Sequence, residues 1–245
     1  MERKIRVGAV SYLNTKPLIY GFEKGMMKDE MDLIIDYPSR VAEDLLNNKI
    51  DIGLVPVAII PRLEEYHIIS DYCISADGEV ASVCLFSEVP MHEIKTVLID
   101  YQSRTSVELL KLLINDFWKL DVTYTDTSDD YISKIKGTTA GLIIGDRALE
   151  QRNSFTYIYD LASAWKEFKH LPFVFAAWVS NKEIPAQFIT SFNEANKVGL
   201  DNIGDVITEN SYPFYDLRTY YTKNILYSLD GDKRKGMELF LSKLR

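Results

Sequence analysis

Near the N-terminus, short apolar runs alternate with segments that open like helices. This alternation constrains the fold more than any other feature of the 245-residue chain. The first run, Ile5–Val10, leads into the loop Ser-Tyr-Leu-Asn-Thr at 11–15. Pro17 then falls where the first turn of a helix tolerates proline, with Asn14 or Thr15 as its cap. Residues 33–37 read as a second strand, and Ser39 can cap a helix over 40–48. Residues 51–55 (Asp-Ile-Gly-Leu-Val) read as a third strand, after which Pro56 opens a short helix to about Arg62. Such strand–helix–strand spacing predicts parallel crossovers and an α/β sheet.

The alternation resumes further on. Residues 80–87 are apolar and partly β-branched, and read as a long strand leaving the first lobe. Residues 97–100 are again strand-like, ending in the loop 101–106 (Tyr-Gln-Ser-Arg-Thr-Ser), and a helix over 107–118 follows with Leu109, Leu110, Leu112, Leu113 and Phe117 forming a broad apolar face. Residues 141–145 form a short buried strand that stops at Asp146, Leu161–Lys169 reads as a helix, and Pro172 begins the apolar segment 173–179. From Pro185 onward helices dominate, at 187–200, 204–210 and 231–244, with the aromatic stretch 212–227 left unassigned. Two strand–helix series joined by the apolar runs 80–87 and 173–179 predict two lobes crossed twice by the chain. One lobe would hold 1–88 and 176–245, the other 89–175; a single larger sheet is the competing arrangement. Crossing strands make a hinge, and clefts between lobes are preferred ligand sites.

Composition narrows the function. With 47% hydrophobic and 26% charged residues the chain has the balance of an ordinary soluble globular protein. The formal net charge is −8, and the short basic run at 232–235 (Asp-Lys-Arg-Lys) carries its own acid, which argues against nucleic acid or a membrane surface as partner. An anionic ligand would have to be met by local donors inside a cleft. Cys73 and Cys84 are expected as reduced packing residues, and His67, His92 and His170 are scattered without metal-ligand spacing. No apolar signal region precedes the first strand, so a cytoplasmic chain is expected.

Several segments together resemble chorismate dehydratase of the futalosine route to menaquinone. They are 7–18 (Val-Gly-Ala-Val-Ser-Tyr-Leu-Asn-Thr-Lys-Pro-Leu), 51–57 (Asp-Ile-Gly-Leu-Val-Pro-Val), 80–87 (Val-Ala-Ser-Val-Cys-Leu-Phe-Ser), 103–106 (Ser-Arg-Thr-Ser), 142–149 (Leu-Ile-Ile-Gly-Asp-Arg-Ala-Leu) and 171–178 (Leu-Pro-Phe-Val-Phe-Ala-Ala-Trp). The resemblance covers roughly residues 1–180 in the family's order. It implies a two-lobed α/β fold of the periplasmic-binding-protein type 2 class, with two crossover strands as hinge. It implies no metal and no cofactor, and loss of water from chorismate to give 3-[(1-carboxyvinyl)oxy]benzoate. Two places depart from the family pattern: Lys169-His170, where Thr-Gly is usual, and Arg147, where a small residue is common. Both are expected near the cleft mouth or behind the ligand-contacting residues. A non-catalytic binding protein for a small carboxylate and the sister dihydroxynaphthoate synthase are the alternatives, the latter disfavoured by the Ser-Tyr-Leu-Asn-Thr loop.

Chorismate carries two carboxylates and a hydroxyl, so its pocket needs two anion-binding sets. The first is Ser103, Arg104, Thr105 and Ser106, where hydroxyls and free backbone N–H groups converge at a helix start; a cap alone needs one hydroxyl. The second is Ser11, Asn14 and Thr15, at the carboxyl end of the first strand, where parallel sheets bind ligands. Thr15 serves equally well as a plain cap. Ser82, in an apolar run, must find a backbone partner or face a cavity. Gly145 and Asp146 end a buried strand, and Asp146 can cap the next helix, orient pocket hydroxyls or act as a base. The resemblance implies catalytic roles for Asn14 and Ser82. It also implies that the substrate's own enolpyruvyl carboxylate is the base, with Asp146 as the other candidate.

Overall fold

In the computed structural model, residues 3–128 and 130–244 are described. The N-terminal alternation forms β1 (Ile5–Val10), α1 (Lys16–Glu23), β2 (Met31–Asp36), α2 (Pro38–Leu46) and β3 (Ile52–Pro56). β1 pairs in parallel with both its neighbours, Ile5 opposite Met31 and Val7 opposite Ile52, as the crossover spacing predicts. At the amino ends of these strands Asp51 accepts from the Arg6 backbone N–H at 2.9 Å and pairs with Arg3, Arg6 and Lys182. The carboxyl ends are left to the loops.

The chain continues through β4 (His67–Ala76), β5 (Val83–Ser87), β6 (Thr96–Ile99), α3 (Thr105–Leu112), β7 (Thr123–Asp126), β8 (Thr139–Ile144), α4 (Asp146–Gln151), β9 (Tyr157–Asp160) and α5 (Leu161–Lys169). It ends with β10 (Phe173–Ser180), α6 (Ala186–Asp201), α7 (Ile203–Glu209), α8 (Leu217–Thr219), β11 (Leu226–Ser228) and α9 (Gly231–Ser242). Among the described residues there are two open mixed sheets, ordered β11-β4-β10-β3-β1-β2 and β7-β6-β8-β5-β9. The chain therefore passes from the first sheet to the second after Ala76 and returns after α5, so the single-sheet arrangement is excluded. Among the described residues no helix is long and apolar enough to cross a membrane.

Two expectations change. The run 80–87 is not one long strand leaving the first sheet: β5 begins only at Val83 and belongs to the second sheet, antiparallel to β8 and β9. The strand preceding the crossing is β4, which an apolar-run criterion misses because Ser70 and Asp71 interrupt it. Their polar groups are satisfied by a helix, since Ser70 Oγ donates to Asn193 Oδ1 of α6 at 2.6 Å and Asn193 Nδ2 donates to Asp71 Oδ2 at 3.2 Å. The helix expected over 107–118 holds regular geometry only to Leu112 and then widens into a π-turn at Leu113–Trp118. The edge strands β7 and β9 escape a hydrophobicity reading because none of their residues is fully buried.

β10 is buried at every residue because helices cover both faces of its sheet. Trp178 packs edge-on to Phe192 of α6 at 4.9 Å between ring centroids, and Phe173 packs edge-on to Phe240 of α9 at 5.0 Å. α6 in turn meets α1 backbone to backbone: a Cβ on Gly21 would stand 2.3 Å from the Ala195 carbonyl oxygen, and one on Gly199 2.0 Å from that of Pro17. This close packing fixes α1, and with it the loop after β1 that faces the seam between the sheets.

Candidate active site

The loops at that seam surround a cleft of about 520 Å³, a figure that includes its open mouth. The first sheet and its loops contribute Val10, Tyr12, Asn14, Pro38, Pro56, Ile74, Phe175 and Ala176. The crossing contributes Val80 and Ser82, and the second sheet and its loops contribute Val83, Ser103, Arg104, Thr105, Ser106, Ile144 and Gly145. Seven of the residues singled out from sequence thus share one cavity: Asn14, Ser82, Ser103, Arg104, Thr105, Ser106 and Gly145.

Ser103 Oγ accepts the Ser106 N–H at 3.2 Å and so caps α3. Thr105 Oγ accepts the Ala58 N–H at 3.1 Å, tying the start of α3 to the turn after β3. A hydroxyl oxygen that accepts from the backbone still has its own proton to donate, so capping and ligand binding are compatible at both residues. Arg104 donates to the Ser103 carbonyl at 3.0 Å, which holds its guanidinium at the cavity wall. Positive charge and free N–H groups at a helix start favour an anion there.

Asn14 is placed by the short 3₁₀ turn Leu13–Thr15, and its carbonyl oxygen accepts from Tyr227 Oη at 3.0 Å. Ser82 is fully buried and Tyr220 Oη stands 2.7 Å from its Oγ. Burial pushes the Tyr220 hydroxyl pKa well up, opposed in part by the Ser82 and Asn14 side chains. Gly145 has φ +64°, a conformation glycine adopts without strain, and a Cβ there would stand 2.9 Å from the Tyr12 ring. Only glycine lets that ring lie against the strand end.

Three predicted residues do not line the cavity. Ser11 is exposed, and its backbone N–H bonds to Asp36 O at 2.9 Å. Thr15 is completely buried and reaches Asn14 Oδ1 at 3.3 Å, a positioning contact at most. Asp146 lies beside the cavity with its carboxylate on the Leu13 N–H at 3.0 Å, a link from the second sheet to the loop after β1. Burial raises its carboxyl pKa to about 6, with the Leu13 N–H opposing the rise.

The departures from the family pattern also find places. Arg147 ion-pairs with the buried Asp100 at 2.8 Å and donates to Gln102 Oε1 at 3.0 Å, and that oxygen also accepts from the Tyr12 hydroxyl. Asp100 further accepts from Tyr131 Oη at 2.7 Å and the Gln102 N–H at 2.9 Å. Arg147 therefore braces the 100–106 turn from behind and couples it to Tyr12. Lys169 and His170 close α5, the latter with φ +59°, and neither lines the cavity. Sequence reasoning missed Tyr12, although it stands inside the quoted loop motif, and Tyr220, which local sequence does not mark.

The model of a family described as menaquinone biosynthesis matches residues 5–245. Chorismate dehydratase of Thermus thermophilus is 25% identical over 232 residues, covering 84% of each chain. Among solved structures, a protein from Archaeoglobus fulgidus aligns with TM-score 0.74 at 15% identity, over 98% of this chain and 96% of that one. A Candida albicans protein described as having the generic periplasmic binding protein fold aligns with TM-score 0.60 at 13% identity, over 99% and 90%. The alkanesulfonate-binding protein SsuA of Xanthomonas axonopodis pv. citri aligns with TM-score 0.63 at 13% identity, over 99% and 93%. At these identities the structural likeness carries the fold, which is that of periplasmic binding proteins. The family match includes both sheets and every loop around the cavity, and the chain belongs to the menaquinone biosynthesis family.

Proposed function

We propose that this chain is a chorismate dehydratase, converting chorismate to 3-[(1-carboxyvinyl)oxy]benzoate and water. The observation that carries the reading is the meeting of Asn14, Ser82 and the 103–106 turn in one cavity between the sheets, in a chain related to a chorismate dehydratase. The turn at the start of α3 offers donors for one carboxylate, and Asn14 and Ser82 are neutral donors for the reacting centre.

The C3 proton of chorismate is acidified through the adjacent double bond by the ring carboxylate. Its removal sends charge to that carboxylate, and the C3 electron pair then forms the ring double bond as the C4–O bond breaks. Proton and hydroxide leave together as water, and aromatisation drives the step. The protein's part is to place the dianion and stabilise developing charge. Geometry is judged before pKa for a base. Asp146 has a suitable pKa, but its carboxylate is engaged by the Leu13 N–H and is not part of the cavity wall. This favours the substrate's enolpyruvyl carboxylate as base. Contacts that already bridge the sheets at Tyr12, Leu13 and Thr105 would exclude water during turnover.

The test is incubation of purified protein with chorismate, following the benzoate product by chromatography; an inactive wild-type protein sinks the reading. A non-catalytic carboxylate-binding protein is the second reading, supported by the likeness to a sulfonate-binding protein. It predicts chorismate binding by calorimetry with no product. The sister dihydroxynaphthoate synthase would leave chorismate unchanged.

A further inference from the structure

Tyr220 is completely buried at the end of α8, where a π-turn (Tyr220–Asn224) begins. Such turns recur at functional sites. Its hydroxyl meets Ser82 Oγ at 2.7 Å, and among the described residues the other acceptor within reach of Ser82 Oγ is the Val80 carbonyl at 3.5 Å, too long to hold its proton well. Phenols are better donors than alcohols, which favours Tyr220 as the donor in this pair and would leave the Ser82 proton free for the cavity that Ser82 lines. Burial keeps the phenol protonated, hence a donor, across the working pH range.

The backbone under Ser82 is held just as firmly. Ala81 has φ +64°, a strained value for a residue with a Cβ. The strain is held in place because Asp160 Oδ2 accepts the Val80 and Ala81 N–H groups at 3.1 and 2.8 Å and Arg152 donates to the Ala81 carbonyl at 3.0 Å.

We propose that Tyr220 is a positioning residue for the dehydration: it donates to Ser82 Oγ and so turns the Ser82 hydroxyl into the cavity, where that hydroxyl donates to the departing C4 oxygen. The proposal rests on the chorismate dehydratase reading. It also assigns a role to the aromatic stretch 212–227.

The experiment is a double-mutant cycle with Tyr220→Phe and Ser82→Ala, scored by steady-state kinetics on chorismate and by melting temperature. Tyr220→Phe keeps the ring and its packing, so the variant is expected to fold. Its kcat should fall by about tenfold to a hundredfold, the scale of losing a positioned group, with KM changed by less than about threefold. In the Ser82→Ala background Tyr220→Phe should cost nothing further, because the oxygen it positions is gone. A wild-type kcat in Tyr220→Phe, or losses that multiply in the double variant, overturns the role while leaving the dehydratase reading intact. Wild-type protein that forms no product removes both together.

Discussion

The two donor loops of the cavity began as equals in sequence and ended as opposites in structure. The turn at 103–106 brings all its residues to the cavity, whereas the loop at 11–15 brings Asn14 and the unforeseen Tyr12, with Ser11 turned out to solvent and Thr15 into the core. The cause is backbone geometry. At the start of α3 the N–H groups point along the helix axis and converge whatever the side chains do. In the 3₁₀ turn at Leu13–Thr15 successive side chains fan out about a third of a turn apart, which separates Asn14 from Thr15, while Ser11 precedes that turn and is exposed. In this chain hydroxyl density marks the cavity wall only where a helix start gathers the groups.

The sharpest way to break this contrast is Asn14→Ala. We expect kcat on chorismate to fall by about a hundredfold or more, the scale of losing one preorganised donor, with only a small drop in melting temperature, since the Thr15 hydroxyl loses its Asn14 Oδ1 contact while the Tyr227 contact to the Asn14 backbone stays. Equal losses of stability and activity would reduce Asn14 to a structural residue. Next in size is Arg104→Gln in the other loop. Losing a charge-assisted hydrogen bond of about 1.5–3 kcal/mol should raise KM roughly tenfold or more and leave kcat near wild type. An unchanged KM would mean that the helix start binds the anion without its arginine.

A smaller effect is expected at Asp146, which links the two loops' sheets. Its folded pKa, about 6, lies above the usual unfolded value near 4. The folded state thus binds the extra proton, and the stability gained is fully present below about pH 4 and lost as pH rises through 6. Asp146→Asn should abolish this component, about 1–3 kcal/mol, flattening the melting temperature between pH 4 and 6. A wild-type slope in the variant would place the titration elsewhere. The smallest effect belongs to Ser11→Ala, where exposure predicts a stability change within about 0.5 kcal/mol and unaltered kinetics. A loss comparable with that of Asn14→Ala would overturn the contrast between the loops.

Much of the fold was legible because apolar runs report burial. β1, β3, β8, β10, α5 and the C-terminal helices stand close to where periodicity puts them. β4 was not legible, since Ser70 and Asp71 are satisfied by Asn193, more than a hundred residues away. The site divides along the same line. Asn14, Ser82 and 103–106 are marked by their own loops, while Tyr220 acquires its meaning only from Ser82.

By itself the sequence determined the parallel crossovers, the hydroxyl-rich helix start and the family, because each is written in contiguous residues through hydrophobic period, capping chemistry or motif. The tertiary structure alone decided which hydroxyls face the cavity, that Arg147 braces the turn through Asp100, and that an aromatic stretch with no local signature places Tyr220 on Ser82. Those outcomes depend on side-chain direction and on partners distant in the chain, and neither is encoded in any short window of residues.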